Sequence, residues 1–133
     1  MKRSEESHLV DSLSDFILKL NSENNSLVLV EGVRDARALR ACGFHGDILM
    51  LCHRPRTTKL EDRCSKFDKT IFLLDNDAEG KRLVERTQRL LRGKTILDTH
   101  YQKALLPAGK GKIRHVEELS RYAEKVALAV SRI

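Results

Sequence analysis

Two short stretches decide the fold: LVLVEG at residues 27–32 and TIFLLDND at residues 70–77. Each begins with a continuous apolar run and then reaches an acidic residue. A short apolar run without alternation is typical of a strand buried on both faces, as in a parallel sheet. In open parallel sheets, ligands bind in the crevice at the carboxyl ends of the strands. We therefore expect Glu31 and Asp75 to lie at the mouth of such a crevice.

Helix and strand patterns alternate around these two stretches, which predicts an α/β fold with a parallel sheet of about four strands and helices on both faces. Residues 1–25 are expected to form an N-terminal helix that packs on the core, and residues 26–133 one globular domain. Apolar spacing and helix-ending residues predict helices over 8–20, 34–41, 58–67, 78–92 and 116–130, further strands over 47–51 and 94–97, and a short helix or turn over 100–106.

Composition limits the class of protein. A chain of 133 residues is long enough for one domain, and its formal net charge of +6 permits a polyanionic partner such as RNA or DNA. No apolar run approaches the roughly 20 residues that span a bilayer, and no signal-peptide pattern follows the polar N-terminus. We therefore expect a cytoplasmic protein without membrane contact. Cys42, Cys52 and Cys64 lack Cys-x-x-Cys spacing, which indicates reduced thiols rather than a zinc site.

Three carboxylates would converge if the strands before Glu31 and Asp75 are neighbours, because Asp77 lies only two residues beyond Asp75. Like charges placed so close repel one another unless a cation lies among them. Mg²⁺ prefers oxygen ligands and completes its coordination with water and phosphate, so the pattern predicts a Mg²⁺ site, with Mn²⁺ as a possible replacement. Asp35 is either a fourth ligand or a first-turn acid favoured by the helix dipole. The alternative is that Asp75 only caps a helix.

Glycines and basic residues near the predicted crevice are candidates for contacts with phosphate. Gly32 would let the chain turn sharply, and Gly80 would allow close approach at the start of the helix that follows Asp77. The histidines His45, His53, His100 and His115 are interpreted as surface or loop residues rather than ligands. The basic candidates for binding nucleic-acid phosphates are Arg34, Lys81 and Arg82, together with Arg54, Arg56 and Lys59 in one loop and Lys110, Lys112 and Arg114 in another.

The motifs VEGVRD at residues 30–35 and LLDNDAEGK at residues 73–81 resemble those of the Toprim family, which has a Rossmann-like fold. That family includes primases, topoisomerases, ribosomal-RNA maturases and nucleases. The resemblance covers roughly residues 26–119 and is strongest to the small stand-alone Toprim proteins of archaea and bacteria, which share a late VEEL motif, here at residues 116–119. Topoisomerases also need a nucleophilic tyrosine, but nothing in the sequence places Tyr101 or Tyr122 near the crevice.

The resemblance implies roles for the acidic residues. Glu31 would act as a general acid or base or as a metal ligand, and Asp75 and Asp77 would coordinate Mg²⁺. In some relatives an acid at the position of Asp35 adds a ligand, and family placement makes Glu117 a further, weaker candidate.

Three functions are compatible with these residues. The first is a Mg²⁺-dependent, nuclease-like phosphodiesterase acting on RNA or DNA. The second is a non-catalytic module, monomeric or homodimeric, that binds nucleic acid or a protein partner with further domains. The third, a phospho-acceptor receiver domain, would need an acidic pair after the first strand, and the Glu31-Gly32 sequence fits that requirement poorly.

Overall fold

The computed structural model describes residues 3–51 and 57–132, which form a layered arrangement of helices around one sheet. The predicted loop residues Arg54 and Arg56, and also Cys52 and His53, lie outside the described residues. In chain order the elements are α1 (Arg3–Ser22), β1 (Ser26–Val30), α2 (Val33–Ala41), β2 (Asp47–Met50), α3 (Thr57–Cys64), β3 (Lys69–Phe72), α4 (Ala78–Leu91), β4 (Ile96–Asp98), α5 (His100–Ala108), a 3₁₀ helix (Val116–Tyr122) and α6 (Ala123–Ser131).

The sheet has four parallel strands in the order β2-β1-β3-β4. This arrangement confirms the predicted α/β class and makes β1 the direct neighbour of β3. Their register pairs Leu29 with Phe72, so the two strands end at nearly the same level. The chain segments that leave β1 and β3 therefore emerge side by side at the carboxyl edge of the sheet.

Side chains of β1 and β3 alternate between two apolar layers, which explains why both runs are continuously apolar. Val28 and Ile71 point to the layer that contains residues from α1, α2, α5 and α6. Leu29 and Phe72 point to the opposite layer, with residues from α3 and α4. Helix α1 contributes fully buried side chains to the first layer, among them Leu13 and Ile17, so it packs on the core.

The C-terminal region differs from the single helix predicted over 116–130. The structure has a 3₁₀ helix followed by α6, with the change of helix type at Ala123. In a 3₁₀ helix, side chains three residues apart lie directly above one another. Val116 and Leu119 have this separation and are both buried in the first layer. The apolar spacing is compatible with either helix type, so the sequence pattern did not distinguish them.

No helix in residues 3–51 and 57–132 is long and apolar enough to cross a membrane. Two of the three cysteines, Cys42 and Cys64, are buried free thiols. Burial raises the pKa of Cys42 to about 12, so this thiol stays protonated and unreactive at neutral pH.

Candidate active site

A groove of about 690 Å³ lies at the carboxyl edge of β1 and β3. Glu31 enters it directly after β1, and Asp75 enters it from the loop that follows β3. This is the crevice position expected for a ligand site in a parallel sheet. The residues that line the groove are Glu31, Gly32, Val33, Arg34, Asp35, Asp75, Glu79, Leu83, Arg86 and Glu117.

Asp75, Asp77 and His115 form a compact cluster in which one ligand atom from each residue lies within 4.8 Å of the others. Asp77 caps α4, because the Gly80 N–H donates to Asp77 Oδ1 over 2.7 Å. Its second carboxylate oxygen is not used by this hydrogen bond. The cap expected as the alternative role of Asp75 is thus made by Asp77, which leaves the Asp75 carboxylate inside the cluster.

One oxygen of Asp75 has no hydrogen-bond partner. Asp75 Oδ1 is fully buried, and no donor among the described residues reaches it in hydrogen-bond geometry. The nearest basic side chain is that of His115, whose Nδ1 lies 3.3 Å from Asp75 Oδ1. A buried carboxylate oxygen without a donor is costly unless something positive balances it. The donor set of two carboxylates and one imidazole fits a divalent metal ion at this position.

Glu31 and Asp35 lie beside this cluster in the groove. Burial, the contact with the Asp75 side chain and the negative charges of Asp75 and Asp35 raise the pKa of Glu31 to about 8. Burial likewise raises the pKa of Asp35 above its usual value. The Gly32 N–H donates to Asp35 Oδ2 over 3.1 Å, so Asp35 stabilises the first turn of α2 while it also lines the groove. In the absence of a cation, the negative charges of Glu31, Asp35 and Asp75 therefore destabilise one another.

The loop that carries Asp75 is held by a side chain of α5. The Leu74 N–H donates to Gln102 Oε1, and Gln102 Nε2 donates to the Leu74 carbonyl, each over 2.6 Å. Because β4 ends at Asp98, it supplies no strand partner at the level of Leu74, and the Gln102 amide takes that place. Gly80 contributes in another way, since a Cβ there would overlap the Asp75 carbonyl.

A model of the Toprim domain matches residues 26–117. The chain belongs to the Toprim domain family. A UPF0292 protein of Archaeoglobus fulgidus is 35% identical over 113 residues, which are 83% of this chain and 86% of that protein. A UPF0292 protein of Thermococcus sibiricus is 31% identical over 112 residues, with 84% and 82% covered. A solved protein structure from Aquifex aeolicus is 28% identical with a TM-score of 0.68, covering 80% of this chain and 96% of that one.

The basic residues of this Toprim domain are spread around the groove rather than gathered in it. Of the predicted phosphate contacts, Arg34 lines the groove; its guanidinium lies 4.0 Å from Glu117 and is largely exposed. Arg86, which was not among the predicted contacts, also lines the groove. The other predicted contacts that the structure describes, Lys59, Lys81, Arg82, Lys110, Lys112 and Arg114, are exposed and do not line the groove.

Gly32 lies at a bend of the chain, as predicted, but this bend does not need the backbone freedom of glycine. Its φ of −153° and ψ of −173° are an extended conformation that any residue can adopt. A Cβ at Gly32 would meet nothing within 4 Å, so the space beside this backbone is open. The open space leaves room for a ligand to approach the Gly32 backbone, which stays a prediction.

His115, Gln102 and Arg86 are three residues in or beside the Toprim site that the sequence did not reveal. His115 was interpreted as a surface or loop residue, yet its ring lies in the acidic cluster. None of the three follows a strand, so the rule that placed Glu31 and Asp75 could not find them. A weak signal existed for His115: a Glu three residues later, at position 118, is the pattern of a capping box, which marks a helix start.

Proposed function

We propose that this Toprim domain binds a divalent metal ion, Mg²⁺ or Mn²⁺, and hydrolyses phosphodiester bonds of RNA or DNA. Asp75 and Asp77 would hold the ion, and Glu31 would move the proton. The single observation that supports the metal best is the buried Asp75 Oδ1, which has no hydrogen-bond donor among the described residues and faces two further ligand-type side chains. When bound, the ion would neutralise charge on the phosphate and stabilise the leaving oxygen.

Glu31 is suited to proton transfer by its position and by its pKa. The side chain lines the groove next to Asp75, and burial and that neighbour raise its pKa to about 8. A carboxyl group that titrates near neutral pH can both accept and release a proton during a reaction cycle. In the proposed hydrolysis, water adds to phosphorus and its proton passes to Glu31. The bond from phosphorus to the leaving sugar oxygen breaks, and a proton returns to that oxygen.

Nucleic acid is the proposed substrate because basic side chains continue from the groove along α4. Arg86 lines the groove, and the exposed residues of the same helix include Lys81, Arg82 and Arg89. The formal net charge of +6 coexists with a groove that contains five acids and two arginines. A polyanion would therefore be attracted to the rim, while its approach to the acids would require a cation.

The acidic groove also supports the second candidate, a non-catalytic module. Without an ion, five acids repel phosphate, and binding would be left to the exposed basic residues. Such a module would bind nucleic acid on the outer face of α4 and act as an accessory subunit of a protein partner, as a monomer or a homodimer. It would not need Glu31 or Asp75 for binding.

Cleavage of end-labelled RNA and DNA in the presence of Mg²⁺ or Mn²⁺ distinguishes the two candidates. We expect cleavage by the wild type and its loss in Asp75→Ala and in Glu31→Gln. Asp62→Ala and Glu85→Gln, at exposed positions of α3 and α4, are the matched controls and should retain it. Cleavage that persists in Asp75→Ala would overturn the proposal. Binding that survives in both site variants, without cleavage by any form, would establish the module instead.

A further inference from the structure

His115 is positioned by backbone contacts that are independent of its imidazole ring. The His115 N–H donates to Glu118 Oε1 over 2.9 Å, and the Glu118 N–H donates to the His115 carbonyl over 2.9 Å. The next residue, Val116, is buried in the core layer and anchors the start of the 3₁₀ helix. The fixed backbone thus holds the imidazole ring beside the Asp75 carboxylate. The His115 side chain is 40% exposed.

We propose that His115 Nδ1 is a metal ligand together with Asp75 and Asp77, and that the site therefore takes a divalent transition metal ion such as Mn²⁺ in preference to Mg²⁺. This inference rests on the proposed metal-binding function of the same site. It adds a nitrogen ligand from outside the acidic motifs and changes the class of ion that the site selects.

The distance between His115 Nδ1 and Asp75 Oδ1 is compatible with two ligands of one ion. Adjacent ligands on an octahedral ion with bonds of about 2.1 Å lie about 3.0 Å apart, and opposite ligands about 4.2 Å apart. His115 Nδ1 and Asp75 Oδ1 are separated by 3.3 Å, close to the value for adjacent ligands. The three ligand atoms lie within 4.8 Å of one another, so a modest movement of the side chains would bring all three to one ion.

The contact between His115 and Asp75 is longer than an ordinary hydrogen bond. Although His115 Nδ1 is 3.3 Å from Asp75 Oδ1, the oxygen has no partner in hydrogen-bond geometry among the described residues. In the neutral tautomer that carries its proton on Nε2, His115 Nδ1 presents a lone pair toward Asp75 Oδ1, and both atoms can then bind one cation. Asp77 can join them, because its cap to Gly80 uses Oδ1 and not the other oxygen.

The nitrogen ligand gives the proposal a measurable consequence. Imidazole is a good ligand for transition metal ions, whereas Mg²⁺ strongly prefers oxygen. Replacement of His115 by alanine should therefore weaken Mn²⁺ binding by about tenfold or more and Mg²⁺ binding by less than about threefold. If His115 only shaped the acidic loop, both affinities would fall by a similar factor.

The test uses the full chain and Mn²⁺ as the probe ion. Free Mn²⁺ is measured by its sharp electron paramagnetic resonance signal, and bound Mn²⁺ is the difference from the total. Electron spin echo modulation reports nitrogen nuclei bonded to the bound ion. We expect ¹⁴N modulation in the wild type and its loss in His115→Ala and His115→Asn. His45→Ala, which removes an exposed histidine, is the matched control and should leave the modulation unchanged. Thermal unfolding of each variant shows whether it is folded.

The outcomes separate this inference from the function on which it rests. Bound Mn²⁺ that shows no nitrogen modulation, with unchanged affinity in His115→Ala, would overturn the His115 ligand and leave the proposed metal site standing. If wild type and Asp75→Ala alike bind no Mn²⁺ or Mg²⁺, the proposed function fails and the inference fails with it. Equal loss of Mg²⁺ and Mn²⁺ affinity in His115→Ala would contradict the proposed selectivity.

Discussion

At the scale of single residues, the ionised form of Glu31 destabilises the folded protein, because this acid is half-buried in the groove beside Asp75. Burial and the neighbouring Asp75 side chain raise its pKa from 4.5 to about 8. The unfolded chain would release the Glu31 proton near its ordinary pKa, whereas the folded protein keeps it to higher pH. Between these two values each increase in pH favours the unfolded state, so Glu31 lowers the stability of the metal-free protein in that window.

Replacement of Glu31 by glutamine should remove this pH-dependent loss of stability. We expect Glu31→Gln to raise the free energy of unfolding of the metal-free protein at pH 8 by on the order of 1 kcal/mol, a value reduced for the partial exposure of the side chain. Well below pH 4.5 the gain should be close to zero, because Glu31 is then protonated in both states. Denaturant unfolding at several pH values in the presence of a chelator measures it. Glu85→Gln should show no such trend, and a gain independent of pH would contradict the explanation.

At the scale of elements, helix α5 positions a loop that belongs to another part of the chain. Strand β4 has only three residues and ends before the level of Leu74. The start of the β3–α4 loop therefore has no strand beside it on the β4 side. The Gln102 side chain offers the same donor and acceptor pair as a backbone peptide and bonds to Leu74 N–H and C=O. Its Nε2 also lies 3.3 Å from Asn76 Oδ1. The acidic loop is thereby fixed from α5 as well as from β3.

Loss of the Gln102 amide should loosen the acidic loop. In Gln102→Leu, two buried backbone groups of Leu74 lose their partner, which we expect to cost about 1–3 kcal/mol of stability. Because Asp75 is the next residue, Mn²⁺ affinity should fall as well. Denaturant unfolding and Mn²⁺ titration measure the two effects. Gln88→Leu, at a partly buried position of α4, is the control. Unchanged Mn²⁺ affinity in a destabilised Gln102→Leu protein would restrict Gln102 to a role in folding.

At the scale of the whole molecule, charge is divided between an acidic groove and a basic exterior. The five acids of the groove lie within a chain of formal net charge +6, so the rest of the surface is strongly basic. Arg86 lies between the acidic groove and the basic exterior. It lines the groove and belongs to α4, whose exposed side is rich in arginine. Long-range attraction of a polyanion and local repulsion at the acids would together favour binding along α4 with the cleavable phosphate near the metal ligands.

Arg86 should therefore contribute to nucleic-acid affinity as a phosphate contact. We expect Arg86→Ala, in an Asp75→Ala background that prevents cleavage, to weaken binding of RNA or DNA several-fold for all sequences. The slope of log affinity against log salt should fall by about 1 in magnitude. Fluorescence anisotropy at several salt concentrations gives both quantities. Lys66→Ala, at an exposed position after α3, is the control. A weakening that depends on sequence but not on salt would argue against a phosphate contact.

The main architecture could be predicted because its signals are local. The unbroken apolar runs before Glu31 and Asp75 indicate strands covered on both faces, and the structure places them in both apolar layers. The helix of residues 78–92 was predicted to within one residue of α4 because its apolar and charged residues alternate with helical period. The final helix was not predicted as it occurs, because apolar residues at 116 and 119 fit a 3₁₀ helix and an α-helix equally well.

By itself, the sequence determined the parallel α/β class and the acids that follow the strands, since strand burial and helical period are encoded in neighbouring residues. Only the tertiary structure decided that β1 lies beside β3, that His115 faces Asp75, and that Gln102 completes the hydrogen bonding of Leu74. These contacts join residues far apart in sequence: 28 positions for Leu74 and Gln102, 40 for Asp75 and His115, and 43 for the paired residues of β1 and β3. Such contacts depend on how the helices cross over the sheet, and no local pattern of residues encodes that path.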